Sequence, residues 1–124
     1  MAVDQASQHE PVRGLPNAPV RMIRRNLDDV PQHDVPSGYS IRWYEPGDDL
    51  HWRRIHVECE GYEDISRTLF ADEFGDDQEA LRQRMGFVCR ADGLPVATNA
   101  AWFGEFKGRI WGRIHWVATS REEQ

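Results

Sequence analysis

The stretch "GFVCRADGLPVATNAAWFGEFKGRIWGRIHWVAT", Gly86–Thr119, decides the fold class. Its apolar, aromatic and β-branched residues are interrupted only by short glycine-containing segments, which predicts three consecutive strands. Asp92-Gly93 is a strong hairpin signal between the first two strands. The "GEFKG" segment predicts a looser turn between the second strand and the third. These features together predict an antiparallel meander.

A further strand and a helix precede this meander. The segment "YSIRWYE", residues 39–45, alternates and is rich in aromatic and β-branched residues, which indicates a strand. The "PGDD" that follows ends this strand and offers Asp48 or Asp49 as a helix N-cap. One helix face is then marked by four residues at spacings of three, four and three, namely Trp52, Ile55, Cys59 and Tyr62.

Two more helical segments complete the order of elements. One is predicted over residues 64–74, broken by Gly75, and the next begins at an Asp76-Asp77 cap. The order strand, helices, meander predicts an α+β fold with helices packed on a mostly antiparallel sheet. The last strand is almost continuously apolar from Ile110 to Ala118, which is typical of a central strand covered on both faces. The sequence supplies a neighbour for only one side of that strand.

The N-terminal region differs from the rest in composition. Residues 1–37 hold five of the seven prolines and show no sustained apolar period. We expect a disordered or extended tail there, followed by a domain over residues 38–124. No apolar run approaches the roughly 20 residues of a membrane span, and the N-terminus lacks an apolar signal core. We therefore expect a cytoplasmic protein with no membrane partner.

Charge and cysteine content limit the class of function. The net charge of −6 argues against nucleic-acid binding, which needs a basic face. The charge is uneven, with twelve acidic and three basic residues over positions 45–79, but four acidic and seven basic residues over positions 80–124. The basic part suits an anionic ligand, although ordinary surface variation explains it equally well. Cys59 and Cys89 are too few for a disulfide scaffold, and we expect reduced thiols.

Three segments resemble the N-terminal part of the GNAT superfamily of N-acetyltransferases. The segment "GYSIRWYEPGDDLHW" is similar to the family's first strand and first helix, and "ADGLPVATNAAWF" to its second-to-third strand hairpin. "GRIHWVATSREEQ", residues 112–124, is the most specific piece and resembles the fourth strand. The resemblance covers residues 38–124. It implies a GNAT-like fold and transfer of acetyl from acetyl-CoA to a primary amine of a small molecule or a peptide, without a covalent enzyme intermediate.

The resemblance also assigns cofactor-binding positions. The family's Q/R-x-x-G-x-G/A loop, whose backbone N–H groups bind the pyrophosphate, follows the fourth strand, and Gln124 falls on its first position. The strand backbone at Val117 and Thr119 corresponds to the positions that hold the pantetheine arm. The remainder of the loop is missing from the sequence, so we expect an incomplete and inactive half. Three origins are consistent with it: a gene fragment or frameshifted product, a chain or record cut short, or one half of a split protein with a complementing C-terminal half.

GNAT chemistry needs a general base, and His115 fits by residue type. Some family members place a glutamate two residues earlier, where this chain has Arg113. Strand alternation places the His115 side chain on one face with those of Val117 and Thr119. The alternative interpretation of His115 is a packed strand residue bonded to a neighbour.

Other candidates have two interpretations each. Three tryptophans form either a substrate wall or part of the core, namely Trp102, Trp111 and Trp116. Four acidic residues either attract a cationic amine or form a solvated face, namely Glu58, Glu60, Glu63 and Asp64. His51 and His56 do not share a helix face, which disfavours a metal site. The alternative to an acyltransferase is a non-catalytic α+β interaction module that pairs or forms a homo-oligomer through an exposed last strand.

Overall fold

A computed structural model describes residues 18–61 and 63–124. The chain divides into two units, Met1–Asp34 and Val35–Gln124, whereas the sequence placed the boundary after residue 37. The described part of the first unit, residues 18–34, forms no helix or strand. Residues 1–17 of the predicted tail lie outside the described residues, as does Tyr62 of the predicted helix face.

The described part of the second unit consists of four strands and three helices, followed by a short 3-10 turn at Arg121–Glu123. The elements in chain order are β1 (Tyr39–Trp43), α1 (Asp49–Cys59), α2 (Leu69–Phe74), α3 (Gln78–Arg84), β2 (Met85–Arg90), β3 (Pro95–Phe106) and β4 (Arg109–Thr119). The strands form one sheet in the order β1-β2-β3-β4, and every pairing is antiparallel. The predicted α+β class is confirmed.

An aromatic core joins the helices to one face of the sheet. Trp52 and Ile55, both predicted on the buried face of α1, are fully buried. The Trp52 ring makes edge contacts with Phe70 and Phe74 of α2 at 5.3 and 5.7 Å and with Trp116 of β4 at 5.5 Å. Such aromatic contacts add to the free energy that burial of the rings already contributes. The core therefore fixes α2 close to β4.

The N-terminus of α1 differs from the prediction of a side-chain cap. The Asp48 carboxylate makes no capping bond to the helix. It instead accepts two hydrogen bonds from the Arg42 guanidinium, at 2.6 and 2.9 Å, and one from the Glu45 backbone N–H at 2.7 Å. A bidentate guanidinium is a stronger partner than a neutral amide. Asp48 therefore ties β1 to the start of α1. At α3, in contrast, the predicted cap is confirmed, since Asp77 accepts from two backbone N–H groups.

Helix α2 is shorter than the segment 64–74 that the sequence predicted. Residues 64–68 are not helical. Ile65 is buried in the core from this non-helical segment, and the hydroxyls of Ser66 and Thr68 lie 3.3 Å apart. Local hydroxyl bonds of this kind compete with helix formation. The helix consequently begins only at Leu69.

The turn of the first hairpin agrees with the prediction from the sequence, and the turn of the second does not. The β2–β3 hairpin lies at Asp92-Gly93 as predicted, closed by a bond from the Arg90 N–H to the Leu94 carbonyl. The β3–β4 turn was expected to be loose and is tight. Phe106 pairs with Arg109, which leaves only Lys107 and Gly108 in the turn, with φ of 50° and 73°. Positive φ at both positions is the type I′ geometry, which matches the twist of the flanking strands.

The prediction that β4 is covered on both faces is wrong. Among the described residues β4 pairs with β3 alone, so it is an edge strand of the sheet. Its apolar residues are divided between two faces because successive side chains alternate. One face packs on the helices, and the other leaves Ile110, Ile114 and Val117 exposed by 79%, 77% and 64%. In the described part of the chain, no helix combines the length and apolar character needed to cross a membrane.

Candidate active site

The candidate site is centred on His115, near the middle of β4. Its ring is buried, with 6% of its surface exposed, and its Nε2 lies 3.1 Å from Oε2 of Glu73. Glu73 is on α2, which the core packs against the inner face of the sheet. A carboxylate only accepts hydrogen bonds, so Nε2 carries the proton and Nδ1 carries the lone pair. The imidazole is thus held in one tautomer.

The surroundings of His115 keep its ring neutral. Burial lowers the pKa of His115 below its ordinary value, and the positive charge of Arg113 lowers it further. The hydrogen bond and the charge of Glu73 act in the opposite direction and are outweighed. A neutral imidazole has a free lone pair at physiological pH and can accept a proton.

An open cleft of about 360 Å³ lies beside His115. Its walls come from three places: the segment after α1, helix α2 and strand β4. The lining residues are Glu63, Glu73, Arg113, Ile114, His115 and Trp116. The cleft therefore brings two carboxylates, a guanidinium and a neutral imidazole together, and its exposed surface is mostly polar.

A β-bulge interrupts β4 at this site. Thr98 pairs with Ala118, but Ala100 pairs with His115, so Trp116 and Val117 together oppose Asn99. Trp116 has φ of 53°, a left-handed conformation that bulky residues rarely adopt. Bulges of this kind bend a strand and re-aim its side chains, and they are frequent beside active sites.

The bulge overturns one predicted arrangement. His115 was expected to share a face with Val117 and Thr119. It pairs with Ala100 on the buried face. Beyond the bulge Ala118 is the buried residue, so Val117 and Thr119 lie on the opposite face. One extra residue in a strand reverses the facing of every residue after it.

Of the three residues that the resemblance assigned to cofactor binding, Val117 and Thr119 lie at the end of β4 and Gln124 follows the 3-10 turn after it. Val117 is at the bulge and exposed. The Thr119 carbonyl accepts hydrogen bonds from Cys59 Sγ at 2.7 Å and from the Gln124 side-chain amide at 2.8 Å. The Gln124 side chain is thus folded back onto the end of its own strand. The structure brings Thr119 and Gln124 into contact with each other, but neither lines the cleft of His115.

His56 supports the bulge from α1. It is buried, with 3% of its surface exposed, and makes a hydrogen bond with the backbone of Trp116. Its ring centroid lies 5.2 Å from that of Trp116. Burial lowers the pKa of His56 to about 4, so this ring is also neutral at pH 7. The other histidine of α1, His51, has its Nδ1 3.3 Å from Nη2 of Arg54. Within residues 18–61 and 63–124, no cluster of His, Cys, Asp and Glu fits a metal ion.

The tryptophans mostly belong to the core. Trp102 and Trp116 are partly buried and pack against it, and Trp116 also lines the cleft. Trp111 lies further along the hairpin, where its Nε1 donates to the Phe106 carbonyl and the Arg109 guanidinium stacks on its ring at 5.0 Å. Of these three tryptophans, Trp116 is therefore the one that both packs against the core and lines the cleft.

Of the four acidic residues that were candidates for amine attraction, Glu58, Glu60 and the exposed Asp64 do not line the cleft. Glu63 lines the cleft. Glu58 accepts from the Ser120 hydroxyl and lies 3.8 Å from Arg54, and Glu60 accepts from the Glu63 backbone N–H.

The cysteines Cys59 and Cys89 are both free thiols, as expected.

Sequence reasoning missed the residue that completes the site, Glu73. It lies on a short helix 42 residues before His115, and no local pattern links the two. Arg113 was considered only as the replacement of a family glutamate. Its position two residues before His115 was the available signal, because alternate strand residues share a face.

Comparison of the chain with protein-family models, with curated proteins and with solved structures gave no match in any of the three.

Proposed function

We propose that this chain carries the acceptor half of a GNAT-type N-acetyltransferase site, which moves acetyl from acetyl-CoA to a primary amine. The observation that carries the proposal is the neutral, tautomer-fixed His115, hydrogen-bonded to Glu73 in an open cleft beside a strand bulge. An acyltransferase of this kind needs a base with a free lone pair beside the bound amine.

Each polar residue of the cleft has a separate role in this reaction. Glu63 and Glu73 attract an ammonium group to the cleft. His115 accepts a proton from that ammonium at Nδ1, which leaves the amine with a lone pair for attack on an acyl carbonyl. Glu73 keeps the second ring nitrogen protonated and stabilises the imidazolium that forms, as the carboxylate partner of a catalytic histidine does.

The fit of acetyl-CoA to these residues is partial. The bulge at Trp116–Val117 disrupts the β3–β4 ladder at an open edge, and an edge offers backbone groups to the amides of a pantetheine arm. The Thr119 carbonyl is already engaged by Cys59 and Gln124, so Val117 is the better candidate. When bound, acetyl-CoA supplies the acetyl group as an activated thioester. Among the described residues only the short 3-10 turn Arg121–Glu123 follows β4, and no α-helix begins there to bind the pyrophosphate of acetyl-CoA.

Two measurements test the proposal. Pantetheine titrated into ¹⁵N-labelled chain should shift backbone amides at the β4 bulge and leave those of β1 unchanged. The absence of shifts near Val117 would contradict pantetheine binding. We also propose that the isolated 124-residue chain releases no free CoA above background from acetyl-CoA and a panel of primary amines. Clear turnover would show that the chain is sufficient by itself.

The second candidate function is a non-catalytic interaction module. It is favoured by the exposed face and open edge of β4, where Ile110, Ile114 and Val117 are uncovered. An apolar strand edge is a template for strand addition by another chain. A concentration series by light scattering separates the candidates, because a strictly monomeric chain would contradict pairing through β4.

A further inference from the structure

We propose that the cleft selects an acceptor that is a zwitterion, an amino acid whose ammonium group lies at Glu63 and Glu73 and whose carboxylate lies at Arg113. This inference rests on the proposed function, since it names the class of amine that His115 would deprotonate. It is carried by the charges that line the cleft, by the unpaired state of Arg113 and by the way in which the Arg113 stem is seated.

Among the described residues, Arg113 and Arg109 of β4 both lack an ion pair, but Arg109 stacks on Trp111 whereas Arg113 lines the cleft. Four arginines of the second unit form ion pairs with carboxylates, namely Arg42, Arg54, Arg82 and Arg90. Arg113 forms no ion pair in the described part of the chain, although it lines the same cleft as Glu63 and Glu73. A guanidinium presents a planar fork of donors that matches a carboxylate with two parallel bonds. Its free fork is therefore suited to a ligand carboxylate.

The Arg113 side chain lies against the backbone of the neighbouring strand. A Cβ built at Gly104 of β3 would lie 3.0 Å from Cδ of Arg113 and 3.5 Å from its Cβ. The stem thus occupies space that a side chain at position 104 would take. The contact restricts the stem on the side of Arg113 that faces the β3–β4 turn, which lowers the entropy lost when a ligand binds the guanidinium.

The spacing along β4 suits a small amino acid. Arg113 and His115 precede the bulge, are two residues apart and face the same side, so their Cα atoms are separated by about 6.6 Å. A ligand between these two side chains would make a hydrogen bond of about 2.9 Å to each of them, which leaves room for an ammonium and a carboxylate that are a few bonds apart. Trp116 also lines the cleft, whose exposed surface is mostly polar.

Each half of such a ligand is recognised less well alone. A simple amine leaves the charge of Arg113 without a partner. A simple carboxylic acid meets Arg113 but is repelled by the carboxylates of Glu63 and Glu73. The cleft therefore discriminates by the presence of both charges, and we expect a difference of about tenfold or more for each missing group.

Three ligands that share an isobutyl group test this: L-leucine, 3-methylbutylamine, which lacks the carboxylate, and 4-methylpentanoate, which lacks the ammonium. Each is titrated into the ¹⁵N-labelled 124-residue chain at pH 7, and the Ile114 amide and Trp116 indole signals are followed. We expect leucine to bind about tenfold or more tightly than either analogue. Equal binding of leucine and the amine would overturn the proposal, and this comparison needs no variant.

Arg113→Gln should remove the preference for leucine, so that the variant binds leucine and the amine about equally. Arg109→Gln is the matched control, because Arg109 is on the same strand but stacks on Trp111 outside the cleft. It should preserve the preference for leucine. A preference that survives Arg113→Gln, or that Arg109→Gln abolishes, would contradict the assignment.

Failure of the proposed function is distinguishable from failure of this inference. Arg113-dependent binding of leucine without any pantetheine shifts at Val117 would support the amino-acid site and reject acetyl transfer. Pantetheine shifts together with equal binding of all three ligands would reject the zwitterion and leave the acetyltransferase proposal in place.

Discussion

Nε2 of His115 lies 3.1 Å from Oε2 of Glu73, although 42 residues separate the two in the chain. The contact joins the edge strand β4 to the short helix α2, and it exists because the aromatic core packs that helix against the sheet. It gives a buried histidine both a fixed tautomer and a counter-charge. The pKa of the ring therefore depends on a balance among burial, Arg113 and Glu73.

This balance predicts how the titration of His115 responds to substitution. The pKa of His115 should lie below its ordinary value of 6.5. Arg113→Gln removes a positive charge and should raise the pKa. Glu73→Gln removes the charge that stabilises the imidazolium and should lower it. The ring proton shifts measured by NMR against pH test both signs, and shifts of the same sign in the two variants would contradict the balance.

The role of His115 as a base predicts a specific kinetic change in any active form that contains this site. His115→Ala should lower kcat by about 10²–10⁴-fold, the usual contribution of a general base. The affinity for acetyl-CoA should change little, because His115 lies on the buried face and Val117 on the exposed face of β4. Equal turnover of the variant and the parent, measured by release of CoA, would reject the role.

His56 predicts a loss of stability in acid. Burial lowers its pKa to about 4 in the folded state, against an ordinary value of 6.5. The unfolded chain therefore binds a proton that the folded chain rejects, so the stabilisation present above pH 6.5 is lost as the pH falls towards 4. The difference amounts to about 3 kcal/mol of unfolding free energy.

Urea unfolding at pH 7 and at pH 4.5 measures this loss. His56→Gln has no ring to protonate, so the difference in its unfolding free energy between the two pH values should be smaller. His51→Gln, on the same helix but partly exposed, is the control and should behave as the parent does. An equal pH dependence for the parent and His56→Gln would be inconsistent with this assignment.

The β3–β4 turn predicts a stabilising substitution. Lys107 has φ of 50° at the first position of a type I′ turn, where asparagine before glycine is strongly preferred. Lys107→Asn should raise the unfolding free energy by about 0.5–1 kcal/mol, because asparagine adopts this conformation at lower cost. Lys107→Ala keeps the unfavourable conformation and serves as the control. A thermal midpoint that is unchanged in Lys107→Asn would contradict the turn assignment.

The uncovered face of β4 predicts association that depends on its apolar residues. Ile114 is 77% exposed beside the open edge, and a charged residue on an edge strand opposes pairing with another chain. Ile114→Lys should therefore reduce the mass that light scattering records at high concentration. Leu50→Lys is a matched control, since Leu50 is 71% exposed but lies on α1. An equal decrease in both variants would indicate nonspecific adhesion.

Much of the fold follows from local patterns. The alternation of β1, the buried face of α1 and the Asp92-Gly93 hairpin all lie within short windows, where side-chain period and turn chemistry act directly. The errors occur where distant residues compete with local signals. The Asp48 carboxylate binds Arg42 of β1 and therefore does not cap α1. Helix α2 begins later than predicted because Ile65 packs into the core from a non-helical segment.

The site was only partly predictable for the same reason. His115 was identified by residue type and strand position, but its partner Glu73 is reached through packing of a separate helix. The facing of Val117 was mispredicted because a bulge adds one residue to β4 against β3. A regular period of two cannot show such an insertion, since its signal is the pairing register and not the identity of the residues.

By itself the sequence determined the α+β order of elements, the hairpin at Asp92-Gly93 and the location of an imidazole on the last strand, because each depends on backbone preferences of neighbouring residues. Only the tertiary structure decided that β4 is an edge, that Trp116 and Val117 form a bulge, and that Glu73 reaches His115. These features depend on which surfaces pack together. Burial in the aromatic core selects that packing from residues far apart in the chain.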